Sequence, residues 1–333
     1  EGTVRFNKDL NTLEFYNGFE WKQFNASGQS GRMLSMGGFD AANALVDYIF
    51  SVQIPTLGNA ARFGDLSGGN LMGSSCSSRT RGFYGRGANP SLINTIEYVT
   101  IASESNAIDF GDATQAEAGS GAGSNATRGI FAGGSNPAYS NVIDYIEMST
   151  TGNAIDFGDL YKTMSGSGTA CGDSTRLLFM GGYTDPSLIE FADIQKIIIS
   201  SKGNATNFGD LTVARAHNGS FSNSTRGVCG GGTDYSNPHL DIIDYVTIAS
   251  EGNAINFGSL TEALGYLGGG ASTETRGVWC GGRDNPGGGY TNRIQYVTIA
   301  TTGNAMDFGD LPETTGIAYA KQCSDSHGGL GGY

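Results

Sequence analysis

Short apolar runs that stop at glycine set the rhythm of this chain. In Thr225-Arg226-Gly227-Val228-Cys229-Gly230-Gly231-Gly232 a brief apolar stretch meets a glycine cluster, the pattern of a strand that ends in a tight, positive-φ turn. A polar loop with Asp234 and Tyr235 follows. Next, Ile242-Ile243-Asp244-Tyr245-Val246-Thr247-Ile248 supplies the β-branched and aromatic residues that strands favour. Gly252-Asn253 turns the chain, Asn256-Phe257-Gly258-Ser259-Leu260 opens a third strand, and the small residues from Leu264 to Ser272 predict a fourth before Thr275-Arg276. Glycine interrupts every stretch that could hold a helical period, so an all-β chain is expected.

The unit recurs. The segment Gly303-Asn304-Ala305-Met306-Asp307-Phe308-Gly309-Asp310-Leu311 has counterparts at 58–66, 106–113, 152–160, 203–211 and 252–260. Its phenylalanine marks Phe63, Phe110, Phe157, Phe208, Phe257 and Phe308, at gaps of 47, 47, 51, 49 and 51 residues. Four short antiparallel strands per period make a β-propeller blade, and the near-constant period means units that pack on their neighbours. Six markers predict six blades. Seven glycine-ended strands can be counted, the last at 328–332, so a seven-bladed ring that borrows Leu13 to Tyr16 and Trp21 to Phe24 is the alternative. Only six residues separate Phe24 from Gly31, too few for the further strand that such a ring needs. Six is therefore preferred, with 316–324 supplying the missing first strand of the blade at 33–38 so that no sheet edge stays open. Residues 1–26 read as a short N-terminal β module and 27–333 as the propeller.

Composition narrows the functional classes. Glycine is abundant, 54 of 333 residues, but 38% hydrophobic content is enough for an ordered core. The net charge of −13 and the lack of a Lys/Arg cluster argue against nucleic acid. The longest apolar runs, such as Ile197-Ile198-Ile199, fall short of a membrane span. Five cysteines without a C-x-x-C pair and three isolated histidines point to buried core thiols, with no metal and no cofactor. The chain opens on Glu1, which suggests a processed or partial product.

Residues that recur in every unit suit structural roles. Arg81, Arg128, Arg176, Arg226 and Arg276 open successive strands and are expected to answer acidic or backbone acceptors between neighbouring blades. Phe110, Phe157, Phe208, Phe257 and Phe308 belong to the same structural set, and Asp65, Asp112, Asp159, Asp210 and Asp310 read as turn-formers. Recognition belongs where the repeats differ. The loops after the glycine-ended strands share one face of a propeller and carry Phe39, Tyr139, Tyr183, Asp185, Tyr235, His239, Asp284 and Tyr290, which suit carbohydrate or protein binding. No catalytic constellation stands out, and glycoside hydrolysis would need two non-repeated carboxylates brought together from different blades.

The order of apolar run, Gly-Gly, loop, strand with Tyr and then an aromatic residue, as in Ile130-Phe131-Ala132-Gly133-Gly134 with Tyr145 and Phe157, resembles kelch-type propeller repeats. It departs from them in carrying Phe where kelch repeats have Trp, and in Lys196 where the other repeats have Tyr. The Thr-Arg-Gly, Ile-Asp-Tyr and Asp-Phe-Gly-Asp-Leu segments between Thr127 and Leu311 are similar to propeller-like repeats of tail-fibre-like proteins of marine bacteriophages. The opening from Gly2 to Trp21 looks like a short β module of such fibres. These resemblances imply a non-enzymatic virion structural protein that binds a host-surface polysaccharide or other virion proteins, carried on a larger, trimeric fibre. A polysaccharide-degrading propeller enzyme and a purely structural capping domain are the alternatives.

Overall fold

The computed structural model describes residues 3–7, 12–16, 18, 21–23, 31–166, 170–184, 189–234, 239–284, 289–312 and 316–331. The chain divides into two compact units, residues 1–29 with Tyr333, and residues 30–332. The first is an antiparallel meander of Val4–Asn7, Thr12–Tyr16 and Trp21–Gln23. Arg5 joins its strands by an ion pair to Glu14 at 2.8 Å and by lying 4.0 Å from the centre of the Trp21 ring.

The second unit is a six-bladed β-propeller of four-stranded antiparallel sheets. From the inside outward the first blade is Lys321–Ser324, Arg32–Met36, Tyr48–Gln53 and Ala61–Asp65. The second is Ser74–Ser77, Arg81–Gly85, Thr95–Thr100 and Ile108–Asp112, and the third is Gly121–Ser124, Arg128–Ala132, Val142–Glu147 and Ile155–Asp159. The fourth comprises Cys171–Gly172, Arg176–Thr184, Ile189–Ile198 and Thr206–Asp210. Gly219–Ser222, Arg226–Gly230, Leu240–Thr247 and Ile255–Gly265 form the fifth, and Ala271–Ser272, Arg276–Cys280, Arg293–Thr298 and Met306–Asp310 the sixth. The six innermost strands touch one another in a closed ring. The end of the chain completes the first blade: Lys321–Ser324 pairs with Met33–Met36, as the need to close the ring implied.

Three expectations are corrected. The small-residue strand after Leu264 does not finish its own unit; Ala271–Ser272 pairs with Arg276–Cys280 and is the innermost strand of the next blade. Gly328–Leu330 is one turn of 3-10 helix, so the seventh glycine-ended strand does not exist there. The Phe-Gly-Asp aspartates do not form turns: the segment is the outermost strand, with a bulge at its phenylalanine.

No blade owns a core. Six apolar clusters lie one between each pair of neighbours, and the marker phenylalanine of one blade packs among the third-strand residues of the next. Phe110, for example, shares a cluster with Ile146 and Met148, and Phe208 with Val246 and Ile248. Burial of apolar area therefore rewards the ring as a whole. All five cysteines are buried and free, as small core side chains.

The repeated segment is the outer joint of these interfaces. The N–H groups of Gly152 and Ala154 donate to the carbonyls of Phe110 and Asp112 at 2.9 and 2.7 Å, and Asp112 N–H donates to the Asn153 side-chain oxygen at 3.1 Å. The Ala and Asn bonds recur at all six joints and close from Asp310 onto Asn59 and Ala60. The backbones approach so closely that a Cβ on Gly209, at φ +155°, would stand 2.2 Å from the Gly252 carbonyl oxygen. Gly209→Ala should accordingly cost about 2 kcal/mol or more through clash and a strained φ. Denaturant unfolding checks this; an unchanged midpoint would mean that the joint is not held by that contact.

Candidate functional site

The loops that lead from each outermost strand into the next innermost strand converge on the propeller axis. Each places one residue there in the left-handed region: Met72 (φ 55°), Gly119 (76°), Gly166 (65°), His217 (53°), Tyr266 (55°) and Tyr319 (61°). Backbone bonds tie neighbours together, with Gly119 N–H on Met72 O at 2.8 Å, His217 N–H on Gly166 O at 2.7 Å and Tyr319 N–H on Tyr266 O at 3.0 Å. A bulky side chain at positive φ costs about 1–3 kcal/mol, and such strain gathers at functional sites. Glycine occupies two of these six positions, while three of the others are aromatic.

The rings form one cluster across the axis. His217 lies 4.8 Å from Tyr266 and 5.4 Å from Tyr319, centre to centre, and Tyr266 lies 5.0 Å from Tyr319. All three are partly exposed. Several residues singled out from the variable loops join them. Tyr183 stands 5.2 Å from His217, His239 5.9 Å from Tyr266 and Phe39 6.5 Å from Tyr319. Tyr290 is linked through Arg283, whose guanidinium carbon is 5.3 Å from the Tyr290 ring and 5.5 Å from Tyr266. Tyr290 also donates its hydroxyl to Asn43 at 2.8 Å. Asp284 is half-buried beside Arg283, and Tyr139, in the third blade's loop, bridges to Ser135. Asp185 and Tyr235 lie outside the described residues.

His217, Tyr266 and Tyr319 lie outside the loops after the glycine clusters, where recognition was expected. The signal was available. Aligned on the repeat, one position nine or ten residues before the strand-opening Arg reads Met, Gly, Gly, His and Tyr. Such variety within an array of otherwise similar units marks a place the fold does not dictate.

One cation lies near His217. Lys321, the first residue of the closing strand, is 3% exposed and its side chain makes no hydrogen bond or ion pair among the described residues. The corresponding first residues of the four-residue inner strands are Ser74, Gly121 and Gly219. Burial lowers the Lys321 ammonium from its ordinary value of 10.5 to about 8. Burial also holds the His217 imidazole well below its usual range, and the Lys321 charge beside it lowers it further. His239 is lowered by burial and then by Arg283.

The other end of the axis is filled by the chain itself. His327 Nε2 donates to Ser77 O at 3.1 Å, and Arg79 donates to the carbonyls of Leu330 and Gly331 at 2.7 and 3.0 Å. The 3-10 turn at Gly328–Leu330 crosses the axis so closely that a Cβ on Gly329 would stand 2.0 Å from Ser124 O. Between the two ends, serine hydroxyls at 77, 124, 222, 272 and 324 each donate to the preceding blade's carbonyl at 2.6–2.7 Å. The axial cavity they line measures about 40 Å³, room for little more than water.

The recurring arginines lie elsewhere and hold blades together. Arg81, Arg128, Arg226 and Arg276 donate to backbone carbonyls of the next blade, those of Met148, Ile199, Ile299 and Ile54, at 2.8–2.9 Å. Each also lies 4.7–4.8 Å from the ring centre of its own blade's tyrosine. Arg176 instead pairs with Asp173 at 3.3 Å. The Phe-Gly-Asp carboxylates are not the arginine acceptors.

Two buried carboxylates, Glu117 and Asp144, converge on Arg86, with Glu117 at 2.7 Å. A second buried pair joins Arg215 to Asp244 at 3.0 Å. Among the described residues no three His, Cys, Asp or Glu side chains gather in a manner that could hold a metal ion. The sequence matches no family model and no curated protein, so the functional reading stands on this geometry.

Two outcomes follow from the charges. Arg226→Ala should lower stability by about 1–3 kcal/mol, through the lost charge-assisted bond and ring contact, without disturbing the axial rings. Calorimetric unfolding and the aromatic NMR signals of Tyr266 would check it together. Lys321→Met should stabilise the protein at pH 7 by about 3 kcal/mol, since a pKa lowered by burial measures the cost of the buried ammonium. Below pH 8 both folded and unfolded chains hold the proton and that cost is present in full. From pH 8 to 10.5 the folded state releases its proton first and the cost fades, so the gap between wild type and variant should close over that window. A gap that stays constant would remove Lys321 as its source.

Proposed function

We propose that this chain is a non-enzymatic, tail-fibre-like virion protein whose kelch-like propeller binds a host-surface glycan at its axial mouth. The observation that carries the reading is the trio His217, Tyr266 and Tyr319, partly exposed and held in left-handed backbone conformations around the axis. Aromatic rings offer flat apolar surface to the C–H faces of a pyranose, at small entropic cost. Tyrosine hydroxyls, Asn43 and Thr233 stand nearby for sugar hydroxyls. The axial cavity is too small to pass a ligand through the ring, which favours recognition at the surface of this face.

The virion assignment leans on the resemblance between Thr127 and Leu311, and the three-stranded N-terminal unit suits attachment to a larger, trimeric fibre alongside other virion proteins. An enzyme that cleaves polysaccharide is the second reading, favoured by the meeting of Glu117 and Asp144. That pair is sealed from solvent and turned onto Arg86, so a sugar could not lie between the two acids.

The protein should bind intact host bacteria and lose that binding when their surface polysaccharide is stripped. Tyr266→Ala should weaken binding at least about tenfold, the loss of one good aromatic contact, while Arg226→Ala should leave it intact. Cell-sedimentation assays with the purified chain measure both. Binding that survives stripping would point to a protein receptor, and no binding to either preparation would leave the capping role within the virion.

A further inference from the structure

Lys321 departs from the rest of the ring in a way that no partner explains. Its side chain is almost wholly buried, lies close enough to the His217 imidazole to act on it electrostatically, and has neither hydrogen bond nor ion pair among the described residues. The other buried cations are matched, Arg86 by Glu117 and Asp144 and Arg215 by Asp244. An unmatched buried charge is costly, and a partner supplied from outside removes that cost at the moment of binding. Arg283 adds a second cation on the same side, over Tyr266. The rings above are partly exposed, whereas the far end of the axis is filled by residues 327–331. An anion therefore has one end of the axis from which to approach.

We propose that the axial mouth selects a carboxylate-bearing sugar, such as a uronic acid residue, with its carboxylate on Lys321 and its ring against Tyr266 and Tyr319. This rests on the glycan-binding reading and names the chemistry of the ligand. The overall charge of −13 makes a local cation necessary for such a ligand, and Lys321, two residues after Tyr319 and near His217, is one without an ion pair among the described residues. A point charge on a flexible stem suits one carboxylate and imposes no bidentate geometry.

The test uses the full chain and calorimetric titration with oligomers of glucuronate, galacturonate, mannuronate and guluronate, each paired with its carboxyl-reduced counterpart. At least one uronate oligomer should bind, and reduction to the neutral sugar should weaken it about tenfold or more, as for one lost charged contact. Lys321→Gln should reproduce that loss on the uronate and leave the reduced sugar unaffected, while Lys321→Arg should retain part of the affinity. Melting temperatures of both variants at or above wild type would show that folding is not the cause. Equal binding of reduced and native oligomers, or a Lys321→Gln variant that binds the uronate as wild type does, would overturn the inference and leave the glycan reading standing. No uronate binding while polysaccharide-dependent cell binding persists would do the same. Absence of both would remove the glycan reading as well.

Discussion

The close approach of two backbones at the outer joint is the contact on which the ring depends. A glycine in the outermost strand of one blade lies against the Gly-Asn turn of the next, so close that no side chain fits between them. Because each apolar cluster is shared by two blades, no blade can bury its own surface alone. The joint fixes the angle and spacing at which those clusters close. Its hydrogen bonds are modest singly, and six copies of a modest term acting on one cooperative object are enough to select a single register. The most repeated segment of the sequence is thus the one with the least room to vary.

Closure adds a second constraint, because the last strand of the first blade comes from the opposite end of the sequence. Lys321–Ser324 enters beside Met33–Met36, and Asp325 then accepts the backbone N–H of Arg32 at 3.0 Å. In the third, fourth and fifth blades the same capping is local, as when Asn125 accepts from Thr127 and Arg128. The chemistry of the turn survives although the covalent connection does not. That is what makes the first blade equivalent to the others, and it leaves no blade short of its innermost strand.

Much of this was legible in the sequence, since a period of about 50 residues with strand-like patterning restricts the architecture severely. Six blades, the closing strand and the buried cysteines followed from spacing and from apolar runs. What could not be read was the assignment of each strand to its sheet: Ala271–Ser272 is continuous with one unit in sequence but hydrogen-bonded to the next. The site was half legible for a related reason. Tyr183, His239, Phe39 and Tyr290 stand in loops that announce themselves by composition, whereas Tyr266 and Tyr319 sit among small residues in short connections. Their meeting at the axis is a property of the closed ring, which local patterning does not contain.

The departures from the repeat fall into two kinds, and the difference is informative. Some are matched by a second departure. Where other blades offer an N–H after the outermost strand to Glu97, Asp144, Gln195, Asp244 or Gln295, the sixth has Pro312, which has no N–H, and the facing residue is Phe50. Lys196, in the place of a tyrosine, pairs with Glu251, and Arg176, deprived of that ring, turns to Asp173. Such pairs restore the balance of the interface and need no reason beyond stability. His217, Tyr266, Tyr319 and Lys321 are departures of the other kind: the first three accept a strained backbone that their ring contacts offset only in part, and the fourth is a charge that nothing among the described residues of the ring matches. A cost left uncompensated at one end of one axis is most simply accounted for by a partner outside the chain.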